Sequence, residues 1–88
     1  MIHVKHILVK QQYEMDDLLR KLNDGMSFED AAQKFSICPS GKKGGDLGVI
    51  REGQTVEEFE DAAFALAIDE MSGPVRTSFG LHLIKRIR

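Results

Sequence analysis

The stretch that decides the fold lies near the start of the chain and reads Ile2-His3-Val4-Lys5-His6-Ile7-Leu8-Val9-Lys10. It is rich in Val, Ile and Leu, and β-branched residues favour strands. Apolar side chains occur on both alternating faces, since Ile2, Val4 and Leu8 share one face and Ile7 and Val9 the other. A strand with two apolar faces is covered on both sides. The stretch therefore predicts a central strand of a sheet.

Helices follow this strand in the sequence. Apolar residues at helical spacing predict a helix over residues 12–23 and another over 28–35, with Ser27 as the N-cap of the second. Thr55 and Glu58 form a T-x-x-E pattern, which predicts a capping box at the start of a third helix that runs to about Leu66. Residues 36–48 contain one proline and four glycines, which is typical of a long loop.

Short strands are predicted at residues 47–51, 75–77 and 81–87. The element order is therefore strand, two helices, loop, strand, helix, strand, strand. This order predicts an α+β domain with helices packed on a small, mainly antiparallel sheet. With 88 residues the chain is long enough for one domain, 1–88, and too short for two.

Composition excludes several classes of protein. The net charge is −2, which does not indicate a nucleic-acid binder, and no apolar run is long enough to span a bilayer. One cysteine allows no internal disulfide, and the first residues show no signal peptide. We therefore expect a cytoplasmic monomer that makes no membrane contact.

Three residues could carry chemistry: His6, His82 and Cys38. A histidine between apolar strand neighbours must be desolvated, so each needs hydrogen-bond partners. Taken singly, each histidine could be a core residue satisfied by its neighbours. If the first and last strands are adjacent, the two imidazoles meet on one face and hydrogen-bond to each other. Cys38 precedes Pro39 in the glycine-rich loop, where it is either a half-buried filler or a thiol that faces a cleft.

Two other patterns indicate no ligand. His3 and His6 point to opposite faces of a strand, so a His-x-x-His metal site is not expected, and we predict neither metal nor cofactor. Residues 41–46 contain three glycines and two lysines but lack the spacing of a P-loop, and no predicted helix begins directly after them. Nucleotide binding is therefore not expected.

The chain resembles the parvulins, which are peptidyl-prolyl cis/trans isomerases. The resemblance covers nearly the whole chain in four segments, which are His6-Ile7-Leu8-Val9, Gly44-Gly45-Asp46-Leu47-Gly48, Gly53-Gln54 followed by Phe59-Glu60-Asp61-Ala62-Ala63-Phe64, and Gly80-Leu81-His82-Leu83-Ile84-Lys85. It implies a four-stranded antiparallel sheet surrounded by helices. It also implies isomerisation of X-Pro bonds in peptides and unfolded proteins, by non-covalent twisting of the amide.

The resemblance implies a role for each of nine residues. The catalytic set would be His6, Cys38, His82 and Thr77, in which Thr77 hydrogen-bonds into the histidine network and Cys38 occupies a position that is aspartate in some members. The residues near the substrate proline would be Leu47, Gln54, Thr55, Phe59 and Phe79.

Two departures from the family pattern affect specificity. Thr55 occupies a position that is commonly methionine, so the proline pocket would be smaller or more polar. If Thr55 is an N-cap, its hydroxyl would face the backbone. The connection after the first strand holds only Lys10 and no basic insertion. We therefore expect no requirement for a phosphorylated residue before proline.

Two other functions compete with isomerisation. The first is a non-catalytic module that binds proline-containing or unfolded chains, which the threonine in the pocket favours. The second is a thiol hydrolase that pairs Cys38 with a histidine.

Overall fold

The computed structural model describes residues 1–88 and shows the predicted order of elements. Four strands, three α-helices and one short 3-10 helix follow each other as β1 (Ile2–Val9), α1 (Gln12–Asn23), α2 (Phe28–Phe35), the 3-10 helix (Pro39–Lys43), β2 (Asp46–Ile50), α3 (Glu57–Phe64), β3 (Val75–Thr77) and β4 (Gly80–Arg86). The predicted α+β class is confirmed.

The strands form one antiparallel sheet in the order β2-β1-β4-β3. The first strand is central, as predicted, with β2 and β4 as its neighbours. Strands β1 and β4 pair from Val4 opposite Arg86 to Val9 opposite Leu81. The first and last strands of the chain are therefore adjacent.

Both faces of the sheet are covered. Helices α1 and α2 supply one core together with Ile7 and Val9 of β1. Helix α3 supplies a second core on the other face, together with Ile2 and Val4. The two cores explain why the first strand is apolar on both faces, since each face packs against its own helical layer.

Two helix ends are capped, and the cap at Ser27 was predicted. Gly25 has a φ of 108° just after α1, where the following amide reaches back to Lys21 in a Schellman-type end. Ser27 caps α2, because its hydroxyl accepts a hydrogen bond from the Asp30 amide at 3.0 Å.

The predicted capping box of the third helix is wrong. Its N-cap is Val56, one residue after Thr55, and no side chain caps it. The Thr55 hydroxyl oxygen is buried and has no hydrogen-bond partner. A carboxylate from inside the helix organises this region instead, since Glu60 accepts a hydrogen bond from the Gly53 amide.

The loop predicted over residues 36–48 is more ordered than expected. Pro39 opens the 3-10 helix, where its missing amide leaves no donor unsatisfied, and Gly44 ends it with a φ of 68°. Strand β2 begins at Asp46, so the connection is short. Only glycine fits at position 45, because a Cβ there would collide with the backbone of His6.

Candidate active site

A single cleft brings together the predicted site residues. It encloses about 370 Å³ on the sheet face that carries α3. All the predicted site residues except Thr77 line the cleft, and Leu8 and Val56 line it as well. The full set of lining residues is His6, Leu8, Cys38, Leu47, Gln54, Thr55, Val56, Phe59, Phe79 and His82. None of these side chains is a lysine, arginine or carboxylate, so the cleft is apolar apart from a few polar atoms.

The two buried histidines meet at the cleft, as predicted. Their Nδ1 atoms are 3.1 Å apart, and the rings stack with centroids 5.2 Å apart and an interplanar angle of 23°. Phe59 stands edge-on to both rings, at 5.6 Å from His6 and 5.3 Å from His82. The antiparallel pairing of β1 with β4 places both imidazoles on one face of the sheet.

Thr77 closes this network at His82. Its hydroxyl oxygen accepts a hydrogen bond from the Phe79 amide at 3.1 Å and lies 2.7 Å from Nε2 of His82. If the hydroxyl donates to Nε2, His82 carries its proton on Nδ1 and donates it to Nδ1 of His6; if it accepts from Nε2, the shared proton lies on Nδ1 of His6. In both arrangements one proton lies between the two Nδ1 atoms, and Nε2 of His6 has no hydrogen-bond partner.

Burial keeps both imidazoles neutral. The pKa of His6 falls to about 4, first because burial disfavours the charged form and second because of the neighbouring His82. Burial also lowers the pKa of His82. Near neutral pH the pair therefore carries no charge.

Cys38 is held at the edge of the cleft by contacts with the end of β1. The Ser36 hydroxyl accepts hydrogen bonds from the amides of Leu8 and Cys38, and the Ile37 amide donates to the Leu8 carbonyl at 2.8 Å. The thiol sulfur accepts a hydrogen bond from the Ser40 hydroxyl at 3.3 Å. It makes no hydrogen bond with either histidine, so the cleft contains no Cys–His pair.

The remaining predicted residues form walls and rim. Phe59 is buried and Leu47 packs against the same core, whereas Phe79 is 56% exposed at the rim. The side-chain oxygen Oε1 of Gln54 accepts a hydrogen bond from the Arg51 backbone amide, which ties this side chain to its own turn. Thr55 lies against the cleft with its hydroxyl buried. The catalytic and binding roles of these residues stay predictions.

Two lining residues were not among the predicted set. Leu8 shares a strand face with His6, so the alternation of β1 already places it beside the histidine. Val56 is the N-cap of α3, and this position brings it to the cleft. The T-x-x-E pattern places the N-cap at Thr55, so no sequence signal indicated Val56.

No metal site and no membrane segment are found. No group of three or more His, Cys, Asp or Glu side chains is placed to hold a metal ion. None of the helices has the length and apolar character required to cross a membrane.

Comparisons with known proteins agree with this geometry. The family model described as rotamase, the PPIC-type PPIase domain, matches residues 6–88. Foldase protein PrsA 1 of Bacillus cereus is 46% identical over 85 residues, which cover 96% of this chain and 30% of the relative. A parvulin-like PPIase of Rickettsia conorii is 47% identical over 88 residues, which cover 96% of this chain and 31% of the relative. The chain therefore spans less than a third of these curated relatives.

Two solved structures show the same fold. PrsA from Bacillus subtilis superposes with a TM-score of 0.93 at 43% identity, over 99% of this chain and 34% of that one. NmPin, the parvulin of Nitrosopumilus maritimus, superposes with a TM-score of 0.86 at 43% identity, over 99% of this chain and 95% of that one. Because the family model covers the chain from its sixth residue to its last, the chain belongs to the rotamase family as a PPIC-type PPIase domain.

Proposed function

We propose that this chain is a peptidyl-prolyl cis/trans isomerase that acts on X-Pro bonds in peptides and unfolded proteins. One observation carries the proposal: an apolar cleft walled by Leu47 and Phe59 lies over a buried pair of neutral imidazoles. A proline ring is apolar and fits such walls. Family membership supports the same activity.

The reaction needs no bond to be broken. Amide resonance gives the C–N bond partial double-bond character, so an uncatalysed X-Pro bond isomerises in tens to hundreds of seconds. An enzyme accelerates the step by binding the twisted amide better than the planar one. If the twisted amide binds about 5 to 7 kcal/mol more favourably than the planar one, the rate rises by roughly 10⁴ to 10⁵.

Three features of the cleft favour binding of the twisted amide over the planar one. Leu47 and Phe59 hold the ring while the preceding carbonyl rotates. The apolar walls exclude water, which disfavours the charge-separated resonance form of the planar amide. The Cys38 thiol, which accepts a hydrogen bond from Ser40, supplies a polar group at the edge of the cleft, where the rotating amide changes its hydrogen bonding.

The cleft favours unphosphorylated substrates. No lysine or arginine lines it, and only Lys10 and Gln11 connect β1 to α1. A phosphate beside the proline would need donors such as arginine, which the lining lacks. We infer that a phosphorylated residue before proline is not required.

The two competing functions differ in their support. Thiol hydrolysis requires a base beside the nucleophile, and no histidine nitrogen hydrogen-bonds to Cys38. A non-catalytic binding module is favoured by one residue, Thr55, which lines the cleft at a position that is commonly methionine in the family. A smaller side chain in this wall weakens the hold on the proline ring, so such a chain can bind a peptide loosely without speeding its isomerisation.

Proline-limited refolding of a test protein separates catalysis from binding. We expect a refolding rate that rises linearly with this chain at concentrations well below that of the test protein, and we expect Phe59→Ala to abolish the rise. Refolding that is unchanged, or slowed in proportion to the chain added, would indicate a binding module.

The other predictions about the biological setting are part of the proposal. The clients are proline-containing, unfolded or partly folded chains, and neither nucleic acid nor membrane is a partner. The compartment is the cytoplasm and the chain acts as a monomer. Gel filtration of the purified chain measures whether it is a monomer.

A further inference from the structure

Strand β2 contains one residue more than its partner strand requires. Ile50, Val49 and Gly48 pair with successive residues of β1, and Gly48 lies opposite Val4. The next residue of β1 is Lys5, and its partner is Asp46. Leu47 is therefore an extra, unpaired residue, which defines a β-bulge.

The bulge decides which side chain enters the cleft. Side chains alternate between the two faces of a strand, and directly paired residues share a face. In a regular ladder Leu47 would pair with Lys5, on the face away from the cleft, and Asp46 would pair with His6. The bulge exchanges these positions, so Leu47 packs against the core under the cleft and the carboxylate of Asp46 lies on the opposite face.

Two hydrogen bonds hold the carboxylate in place. One Asp46 oxygen accepts from the Gly48 amide at 2.7 Å and contacts Nε2 of His3, also at 2.7 Å. His3 lies two residues before Lys5 on the same strand face, as its position predicts. These contacts lower the pKa of the Asp46 carboxyl, the His3 hydrogen bond more than the Gly48 amide.

The backbone on both sides of the bulge is also constrained. Gly48 has a φ of 72°, a conformation that glycine adopts without strain and that accompanies many bulges. Beyond the bulge, the His6 amide donates to the Gly45 carbonyl at 2.9 Å, so backbone hydrogen bonding between the two segments continues to His6. The Asp46 side chain thus joins Gly48, on the other side of the unpaired Leu47, to His3 of β1.

We propose that Asp46, held by His3, is a positioning residue that locks the bulge and so keeps an apolar wall, and not a carboxylate, in the proline cleft. This inference rests on the proposed isomerase function. Both side chains are partly exposed, at 29% for His3 and 39% for Asp46, so charge attraction between them is screened by solvent. Hydrogen-bond geometry therefore matters more than charge.

The test compares Asp46→Ala, Asp46→Asn and His3→Ala with the wild type. Asp17→Ala is the matched control, because Asp17 forms an exposed ion pair with Arg20 on α1, away from the cleft. Four quantities are measured: binding of an Ala-Pro peptide by NMR titration, the isomerisation rate at saturating peptide, NOEs from the Leu47 methyl groups to the aromatic rings of the cleft, and the melting temperature.

We expect Asp46→Ala to weaken peptide binding about fivefold, which is the scale of one lost hydrogen bond. The rate at saturation should fall by less than the affinity and stay within about twofold of the wild type, because Phe59 still holds the proline ring. The NOEs from Leu47 should weaken. Asp46→Asn keeps an oxygen acceptor for the Gly48 amide and should bind the peptide like the wild type. The peptide affinity of His3→Ala should lie between those of Asp46→Ala and the wild type.

Wild-type binding and unchanged Leu47 NOEs in Asp46→Ala would overturn the inference. A variant that is merely less stable would lower the melting temperature without a selective loss of these NOEs. If the wild type neither binds nor isomerises the peptide, the proposed function fails. The NOEs in the same samples still decide whether Asp46 holds the bulge.

Discussion

Replacing Thr55 by valine removes one buried hydroxyl and preserves the shape of the side chain. In the structure this hydroxyl oxygen has no hydrogen-bond partner, and the residue precedes the N-cap of α3. The T-x-x-E pattern in the sequence assigns the same hydroxyl to a capping box instead. The two descriptions predict opposite signs for the change in stability.

The magnitude follows from the state of the hydroxyl. A buried polar group without a partner destabilises the folded chain by about 1–3 kcal/mol. Thr55 as a whole is only half-buried, so the lower end applies, and valine should stabilise the chain by about 1 kcal/mol. For a domain of this size that raises the melting temperature by about 4–8 °C. If Thr55 were an N-cap, valine would destabilise the chain by about 1 kcal/mol.

Thermal and urea unfolding of Thr55→Val measure the sign directly. Ser27→Ala is the matched control, because the Ser27 hydroxyl does cap a helix and its loss should cost about 1 kcal/mol. A melting temperature for Thr55→Val that falls as it does for Ser27→Ala would show instead that the Thr55 hydroxyl caps α3.

Three further predictions concern the buried histidines and Cys38. The folded pKa of His6, about 4, lies below its ordinary value of 6.5, so between these pH values the unfolded chain takes up a proton that the folded chain does not. Stability is therefore full above pH 6.5 and should fall by about 2 kcal/mol between pH 6.5 and 5 in urea unfolding; equal stability at both pH values would contradict the neutral pair. His6→Ala opens a buried site and leaves Nδ1 of His82 without a partner, so it should destabilise the chain by about 3 kcal/mol as well as reduce activity. A melting temperature equal to that of the wild type would count against this structural role. Cys38→Asp should keep isomerase activity within about tenfold of the wild type, an activation free-energy change of at most about 1.4 kcal/mol, because no covalent step is involved; complete loss in peptide turnover would indicate a nucleophile.

Much of the fold follows from patterns with a simple physical basis. The two apolar faces of Ile2–Val9 specify a central strand, and Ser27 and Gly25 mark helix ends through their own hydrogen bonds and backbone conformation. The meeting of His6 with His82 required one further assumption, that the first and last strands are neighbours. These features were predictable because each depends on local periodicity or on a single pairing.

The rest depends on contacts between distant residues. Thr55 and Glu58 match a capping box, yet the helix starts one residue later, and Glu60 binds the Gly53 amide instead. The bulge at Leu47 changes which face each neighbouring side chain occupies, and it is set by the register of β2 against β1. Alternation within the short segment itself contains no sign of that extra residue.

Catalysis by the cleft means faster rotation about an unmodified X-Pro bond. Two-dimensional NMR exchange on a short Ala-Pro peptide with catalytic amounts of this chain measures that rotation. We expect cis–trans exchange cross-peaks that appear only with the protein and disappear with Phe59→Ala. Peptide signals that shift on binding but exchange no faster would contradict isomerase activity and establish a binding module.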